Sequence, residues 1–363
     1  MKKSLLIVLL FILSQGIILA TEEQHSSEDH AEKKEFNVSS FIFDHITDSH
    51  EWHIATYKGK HISIPLPIIL YSKNSGWHFF MSSEFHHGHS DYSFNGGKLR
   101  LMLEGENKGK IVELDEEEQE ISQLPIDLSI TKNVAALMIS LAIMLWIFIR
   151  VAKTYSQQRG RAPTGLQNFI EAIVIFIREE VAKPSIGEKK HERFMPYLLM
   201  VFFFILLNNL LGLIPLFPGG ANVTGNINIT FLLAILTFLT TNLSSNKSYW
   251  KHIFNAPGVP WWLKFPLPII PMVEFLGLLS KPFALMIRLF ANITAGHIII
   301  LAFYCLIFFF GNIHYTIGLG TSLFSIPFTI FMTLLELLVA FVQAFIFTLL
   351  SATFIGAAVE EQH

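Results

Sequence analysis

The chain carries a single cysteine, Cys305, among its 363 residues, so an intrachain disulfide is excluded. That cysteine stands in an apolar run, where packing is its expected role. Charge is scarce: Asp, Glu, Lys and Arg together make up 15% of the chain, and the net charge is −3. There is no basic tract of the kind that grips nucleic acid. Internal repeats are absent, as are the paired broken helices found in many stand-alone secondary transporters. What the chain has in abundance is apolar residue, 52% with a mean hydropathy of +0.47. Much of this lies in runs near membrane-spanning length, the mark of a polytopic membrane protein.

The scarce charges are segregated. Most acidic residues, and ten of the 15 histidines, precede the first mature span. Met1-Lys2-Lys3 followed by apolar Ser4 to Ala20 reads as a secretory signal peptide over 1–20, with an uncleaved anchor as the alternative. Residues 21–126 then form an exported N-terminal module and linker. Its first part, 21–36, is polar. Residues 37–114 are β-rich, with strands expected at Trp52–Tyr57, His61–Tyr71, Trp77–Met81 and Lys98–Leu103 and a hairpin turn at Asn95-Gly96-Gly97. The cluster Phe85-His86-His87-Gly88-His89 suggests an exported metal-binding receptor. Its ligand spacing is too tight to define a site, and a solvated loop is expected instead, with no metal or cofactor. The acidic run Asp115 to Glu120 reads as a solvated connector.

Residues 127–363 read as an all-α membrane domain of about five spans plus an interfacial helix. The first span, Asn133 to Val151, is followed at once by Arg150, Lys153, Arg159 and Arg161. By the positive-inside rule that end is cytoplasmic, which agrees with an exported N-terminus. Thr164 to Ala182 is amphipathic and interrupted by Glu171, Arg178 and Glu179, so it should lie along the cytoplasmic surface and end at Lys183-Pro184. Pro196 to Ile214 runs outward and Ile229 to Leu243 inward. Trp261-Trp262 reads as an interfacial anchor. Two long segments close the chain, about Pro268 to Phe310 and Ile326 to Val359, with a loop at Asn312 to Gly320. The C-terminus falls in the cytoplasm. Each long segment exceeds what a bilayer core of about 30 Å admits upright at about 1.5 Å per residue. A steeply inclined helix hairpin follows, suited to wrapping another membrane object.

Polar residues interrupt this hairpin: Glu274, Lys281, Arg288, Asn292 and His297 on one arm, Glu336 and Gln343 on the other. Arginine at mid-bilayer costs about 3 kcal/mol on insertion scales, so it marks function. It does not release its proton, so Arg288 can act only as a fixed positive charge. In an antiparallel hairpin the position numbers of facing residues add to a constant. Arg288 with Gln343 gives 631 and His297 with Glu336 gives 633, so one register sets both pairs at matching depths. Arg288 and Asn292 share a helix face, and His297 points roughly opposite. This suggests two functions on two faces, with Arg288 turned toward a carboxylate on another chain and His297 with Glu336 lining a polar path.

The stretch Leu279-Ser-Lys-Pro-Phe-Ala-Leu-Met-Ile-Arg-Leu-Phe-Ala-Asn-Ile-Thr-Ala-Gly-His297 resembles the helix-5 motif of subunit a of the membrane (Fo) sector of F-type ATP synthases. Asn209-Leu-Leu-Gly-Leu-Ile-Pro215 and Gln343-Ala-Phe-Ile-Phe347 resemble two further signatures, in the same order. The resemblance covers about residues 127–363. It implies a proton-translocating stator subunit that makes no bond itself and offers two half-channels to a rotor c-ring. It implies the peripheral stalk subunit b and the rest of the ATP synthase as further partners, in a bacterial inner membrane. The essential arginine maps onto Arg288, the helix-6 glutamine onto Gln343, and the ion-path polar residues onto Glu274, Asn292 and Asn209. His297 and Glu336 are exchanged relative to many bacterial members, which marks them as a coupled pair. Gly212 takes a position that is acidic in some members. A stand-alone ion-coupled secondary transporter is the competing function. The N-terminal module lies outside the common pattern.

Overall fold

The computed structural model describes residues 38–360, apart from 58–59, 89, 96, 104, 106, 116–120, 122–123, 158–161, 215–216 and 255–268. The expected signal peptide, polar linker, His89, Gly96, most of the acidic connector and Trp261-Trp262 lie outside the described residues. The chain divides into two compact units, residues 1–139 with 214–221, and residues 140–213 with 222–363.

The first unit opens with helix α1 (Val38–Ile46) and continues with strands β1 (Glu51–Tyr57), β2 (Lys60–Pro65), β3 (Pro67–Ser72) and β4 (Gly76–Met81). Strands β5 (Tyr92–Phe94), β6 (Gly97–Leu101), β7 (Ile111–Leu114) and β8 (Ile126–Asp127) follow. They make three small sheets, β1-β2, β4-β3-β8 and β5-β6-β7, with every pairing antiparallel. The stretch expected as one strand over His61–Tyr71 is therefore two strands in two sheets. The break falls at Leu66, whose N–H is taken by the Ser82 hydroxyl at 3.0 Å while its carbonyl accepts from Ser82 N–H at 2.9 Å. The histidine cluster sits on a 3₁₀ segment, Ser82–Gly88, because Phe85 is wholly buried and pulls the chain onto the core. Among the described residues no group of metal-ligating side chains forms.

Ile68, Leu70, Phe85, Leu99 and Ile111 make the module's core. β7 is buried throughout, including its Glu113. That carboxylate accepts from the hydroxyls of Ser72 and Ser75, which tie β7 to the turn between β3 and β4. On the opposite face of β3 and β4 the register aligns Pro67, Ile69 and Tyr71 with Met81, Phe79 and Trp77. Ile126 lies beside Tyr71, and Leu128 donates to the Ile69 carbonyl. That face is apolar and open.

The second unit is helical. Its elements are α2 (Lys132–Gln157, which begins in the first unit), α3 (Leu166–Phe176), α4 (Lys183–Ile186), α5 (His191–Leu213), α6 (Ile227–Leu243), α7 (Lys247–Phe254), α8 (Ile269–Ile313) and α9 (Tyr315–Val359). Among the described residues four helices are long and apolar enough to cross a membrane, and α6, with 17 residues, is shorter. At about 1.5 Å per residue α6 still reaches roughly 26 Å.

The amphipathic segment does not stop at Lys183-Pro184. It passes through a π turn, Ile177–Ala182, and on to Ile186. In the wider turn Lys183 N–H bonds the Arg178 carbonyl five residues back, which leaves slack for the Pro184 ring. Its second half is buried, with Ile177, Val181 and Ala182 in one core with Leu198, Phe202 and Ile205 of α5 and Ala352 and Ile355 of α9, while Leu166, Phe169 and Ile175 of its first half stay exposed.

α8 and α9 are each 45 residues long, so each measures roughly 68 Å. Pro282 and Pro327 lie within continuous helix. The expected loop at Asn312 to Gly320 shrinks to His314, whose ring Nδ1 caps α9 by accepting from Thr316 N–H. The glycines that suggested a turn permit contact instead: a Cβ on Gly318 would lie 2.6 Å from the Gly311 Cα. Phe303 and Phe328, whose numbers add to 631, pack with ring centroids 4.2 Å apart. At the far end Gly356 lets α9 touch the Ser185 carbonyl, where any Cβ would collide with backbone.

Two outcomes are expected from this packing. Gly356→Val forces α9 off α4 and should destabilise the protein by about 1–3 kcal/mol, read as a lower thermal midpoint in detergent. In the module, Arg100 clamps Asp91 through two hydrogen bonds of 2.8 and 2.6 Å, which hold the carboxyl below the usual range. A lowered carboxyl contributes stability above the unfolded-state value, and that stability is lost as pH falls through the folded one. Asp91→Asn should therefore cost about 0.5–1 kcal/mol at pH 7, with the difference vanishing as pH falls through the lowered folded-state value, in thermal unfolding of the paired proteins.

Candidate functional site

α8 buries one stripe. Leu278, Leu285, Leu289, Ile293 and Ile300 recur at helical spacing and are 7% exposed or less. Arg288 and Asn292 lie off this stripe, one turn apart and exposed. Arg288 stands between Leu285 and Leu289, both packed in the core, so its helix position is fixed although its side chain is open. Among the described residues no carboxylate lies within ion-pair distance of it. Lys281 is exposed on the same arm, with its ammonium 5.5 Å from the Phe354 ring centroid. Glu274 is half-buried near the start of the arm. Burial and this carboxylate push the Tyr249 phenol on α7 upward.

His297 falls on the other side, against α9. Its Nδ1 lies 3.4 Å from Glu336 Oε1, with side-chain exposures of 19% and 4%. Gly296 makes the room: a Cβ there would stand 2.8 Å from the same oxygen. Neither Glu336 oxygen accepts a hydrogen bond from the described residues. One turn farther along α9, the Ala340 carbonyl accepts from Asn209 Nδ2 at 3.3 Å. Asn209 Oδ1 in turn accepts from the Thr224 hydroxyl at 2.6 Å. Asn209 is thus buried between α5 and α9 and joined to the loop before α6. Gln343, buried on α9, lies one further turn on.

A second polar group lies beyond Gln343. The hydroxyls of Tyr197 and Thr237 bond at 2.7 Å, and Thr237 meets Ser351 at 3.4 Å. Thr237, Thr241, Asn242, Tyr249 and Lys281 line a small cavity beside it. The two groups flank the Arg288 level. Glu336 is seven positions before Gln343 on α9 and Ser351 eight after it, roughly 10–12 Å along the axis each way. The structure thus brings His297, Glu336 and, through the helix backbone, Asn209 together. It sets Arg288 and Asn292 apart on an open face. Thr224, Gly296, Tyr197, Thr237 and Ser351 were not foreseen. The hairpin register was a signal for Gly296, since Gly296 with Glu336 gives 632. The hydroxyls carried none, because they lie on other helices.

Residues 134–356 match the family model described as ATP synthase A chain, and residues 41–131 match a separate domain of unknown function, DUF8433. Similar proteins include ATP synthase subunit a of Chloroherpeton thalassium, 46% identical over 242 residues, 65% of this chain and 68% of that protein. ATP synthase subunit a of Pelodictyon phaeoclathratiforme is 47% identical over 64% of this chain and 66% of its own length. ATP synthase subunit a 2 of Prosthecochloris aestuarii is 48% identical over 64% and 69%. With well over half of its length matched by that model, this chain belongs to the ATP synthase A chain family.

Proposed function

We propose that the chain is the proton-translocating stator subunit of a rotary ATP synthase, set against a rotor ring of c subunits. The observation that carries this reading is Arg288: a fixed charge, exposed on a rigid apolar helix, without a carboxylate partner among the described residues and flanked along the hairpin by two polar groups. A carboxylate on a passing rotor helix is the natural counter-charge. Arg288 favours the ionised form of that carboxylate and so strips its proton as it arrives.

The two polar groups serve as half-channels. On the outer side, protons pass Thr224, Asn209, Glu336 and His297, then Gln343, and neutralise the rotor carboxylate, which can then turn into lipid. His297, with Nδ1 3.4 Å from Glu336 Oε1, is the imidazole placed to pass protons along this path. On the cytoplasmic side, protons leave by Ser351, Thr237 and the cavity toward Lys281, Tyr249 and Glu274. Asn292 lies beside the rotor contact. Arg288, between the halves, bars a direct leak. The Lys and Arg residues after the first span support an N-terminus outside and a C-terminus in the cytoplasm, in a bacterial inner membrane. Peripheral stalk subunit b and the catalytic head complete the assembly, and ATP forms in that head.

Arg288→Ala should abolish ATP-driven proton pumping in inverted vesicles, read by quenching of a pH-sensitive dye, without added sodium. Pumping at the wild-type rate would sink the mechanism. Gly296→Ala tests the path separately. Its methyl displaces the Glu336 carboxylate from His297, so pumping should fall roughly tenfold or more while the assembled complex remains intact. A wild-type rate in that variant would remove the pair from the path.

A further inference from the structure

The sheet β4-β3-β8 carries large apolar residues on both faces. An antiparallel sheet of a water-borne module has one apolar and one polar face. Here the inner face, with Ile68 and Leu70, packs into the module's own core. The outer face presents Trp77, Phe79, Met81, Tyr71, Ile126 and Leu128, with no charged residue among them. Trp77, Phe79, Ile126 and Leu128 are 54, 66, 55 and 56% exposed. The Trp77 and Phe79 rings lie nearly parallel, 15° apart, with centroids 5.9 Å apart, so the surface is a flat aromatic platform. A contiguous patch of this kind marks an interaction site.

The connection to the membrane says what covers it. β8 ends at Asp127 and α2 begins at Lys132. Fully extended, that link reaches at most about 18 Å. The edge of the platform is therefore held within that distance of the end of a membrane-crossing helix. Apolar exposure runs across the junction: Leu128 is followed by Val134 and Met138, 40 and 56% exposed. Trp, Tyr, Phe and Met without charge is the chemistry of the boundary between headgroups and acyl chains.

We infer that this platform rests on the lipid headgroup–acyl boundary of the leaflet in which α2 begins, so that the N-terminal module is a membrane-surface anchor. Lys73 borders the face beside Tyr71 and Ile126, but the face itself is apolar, so zwitterionic lipid suffices.

The test uses the full chain, in proteoliposomes and in the assembled ATP synthase, with Cys305→Ser and a single Phe79→Cys carrying an environment-sensitive fluorophore. Lys108→Cys, in the exposed turn before β7, is the aqueous reference. The expected result is blue-shifted emission at position 79 in zwitterionic vesicles, quenched by headgroup spin-labelled lipid and untouched by iodide, while position 108 responds to iodide alone. Iodide quenching at position 79 without lipid quenching overturns the proposal. Shielding from both quenchers also overturns it, and identifies a protein cover: a second copy if it depends on the chain's density in the vesicle, another subunit if it arises only in the complex. Leu128→Cys on the neighbouring strand gives the same reading should Phe79→Cys fail to fold.

Discussion

Hydrocarbon does not solvate charge or an unpaired polar group, and the second unit is arranged around that constraint. Its polar side chains are rationed. Most hydroxyls bond back to a carbonyl one turn earlier, as Thr348 does to Ala344 and Ser351 to Phe347. Asn208 and Asn242 do the same with Phe204 and Phe238. Asn209, Tyr197, His297 and Glu336 reach across helices instead, and Thr237 and Ser351 do both, meeting each other as well as a carbonyl of their own helix. Arg288 lies exposed on the outward side.

Small residues make those long-range contacts possible. Ala340, Ala344, Ser351, Ala352 and Gly356 line the buried side of α9, so α5 and α4 can approach its backbone. Close approach lets an asparagine on α5 reach a main-chain carbonyl on α9, and lets Gly296 admit a carboxylate. Larger side chains at these positions would widen the gaps and leave the same polar groups without partners.

Much of this was legible in the sequence. The hairpin, its register and the opposite facing of Arg288 and His297 follow from helix geometry applied to the positions of a few polar residues, although the second arm begins at Tyr315 and not at Ile326. What escaped had physical causes. Gly318 looks like part of a loop but packs on Gly311, because glycine serves turns and close packing alike. Pro184 looks like a helix stop, but a π turn absorbs it. Glu113 hid β7, a strand of the module, since nothing in Ile111-Val-Glu-Leu114 announces two serine hydroxyls from elsewhere. The hydroxyl cluster on α5, α6 and α9 is written in three separate stretches, none of which is unusual alone.

The openness of Arg288 has a consequence for how such a chain is made. On the function proposed above, the exposed guanidinium faces lipid until its counter-charge arrives, at a cost of about 3 kcal/mol on insertion scales, or a factor of more than a hundred in any equilibrium it enters. The buried Leu285 and Leu289 on either side hold that stretch of helix in place, so the cost is not relieved by rotation. The unassembled chain is thereby marked in the membrane as incomplete. On that reading, the charge that would meet the rotor also makes the solitary subunit a poor resident of the bilayer, favouring late incorporation or prompt removal during biogenesis.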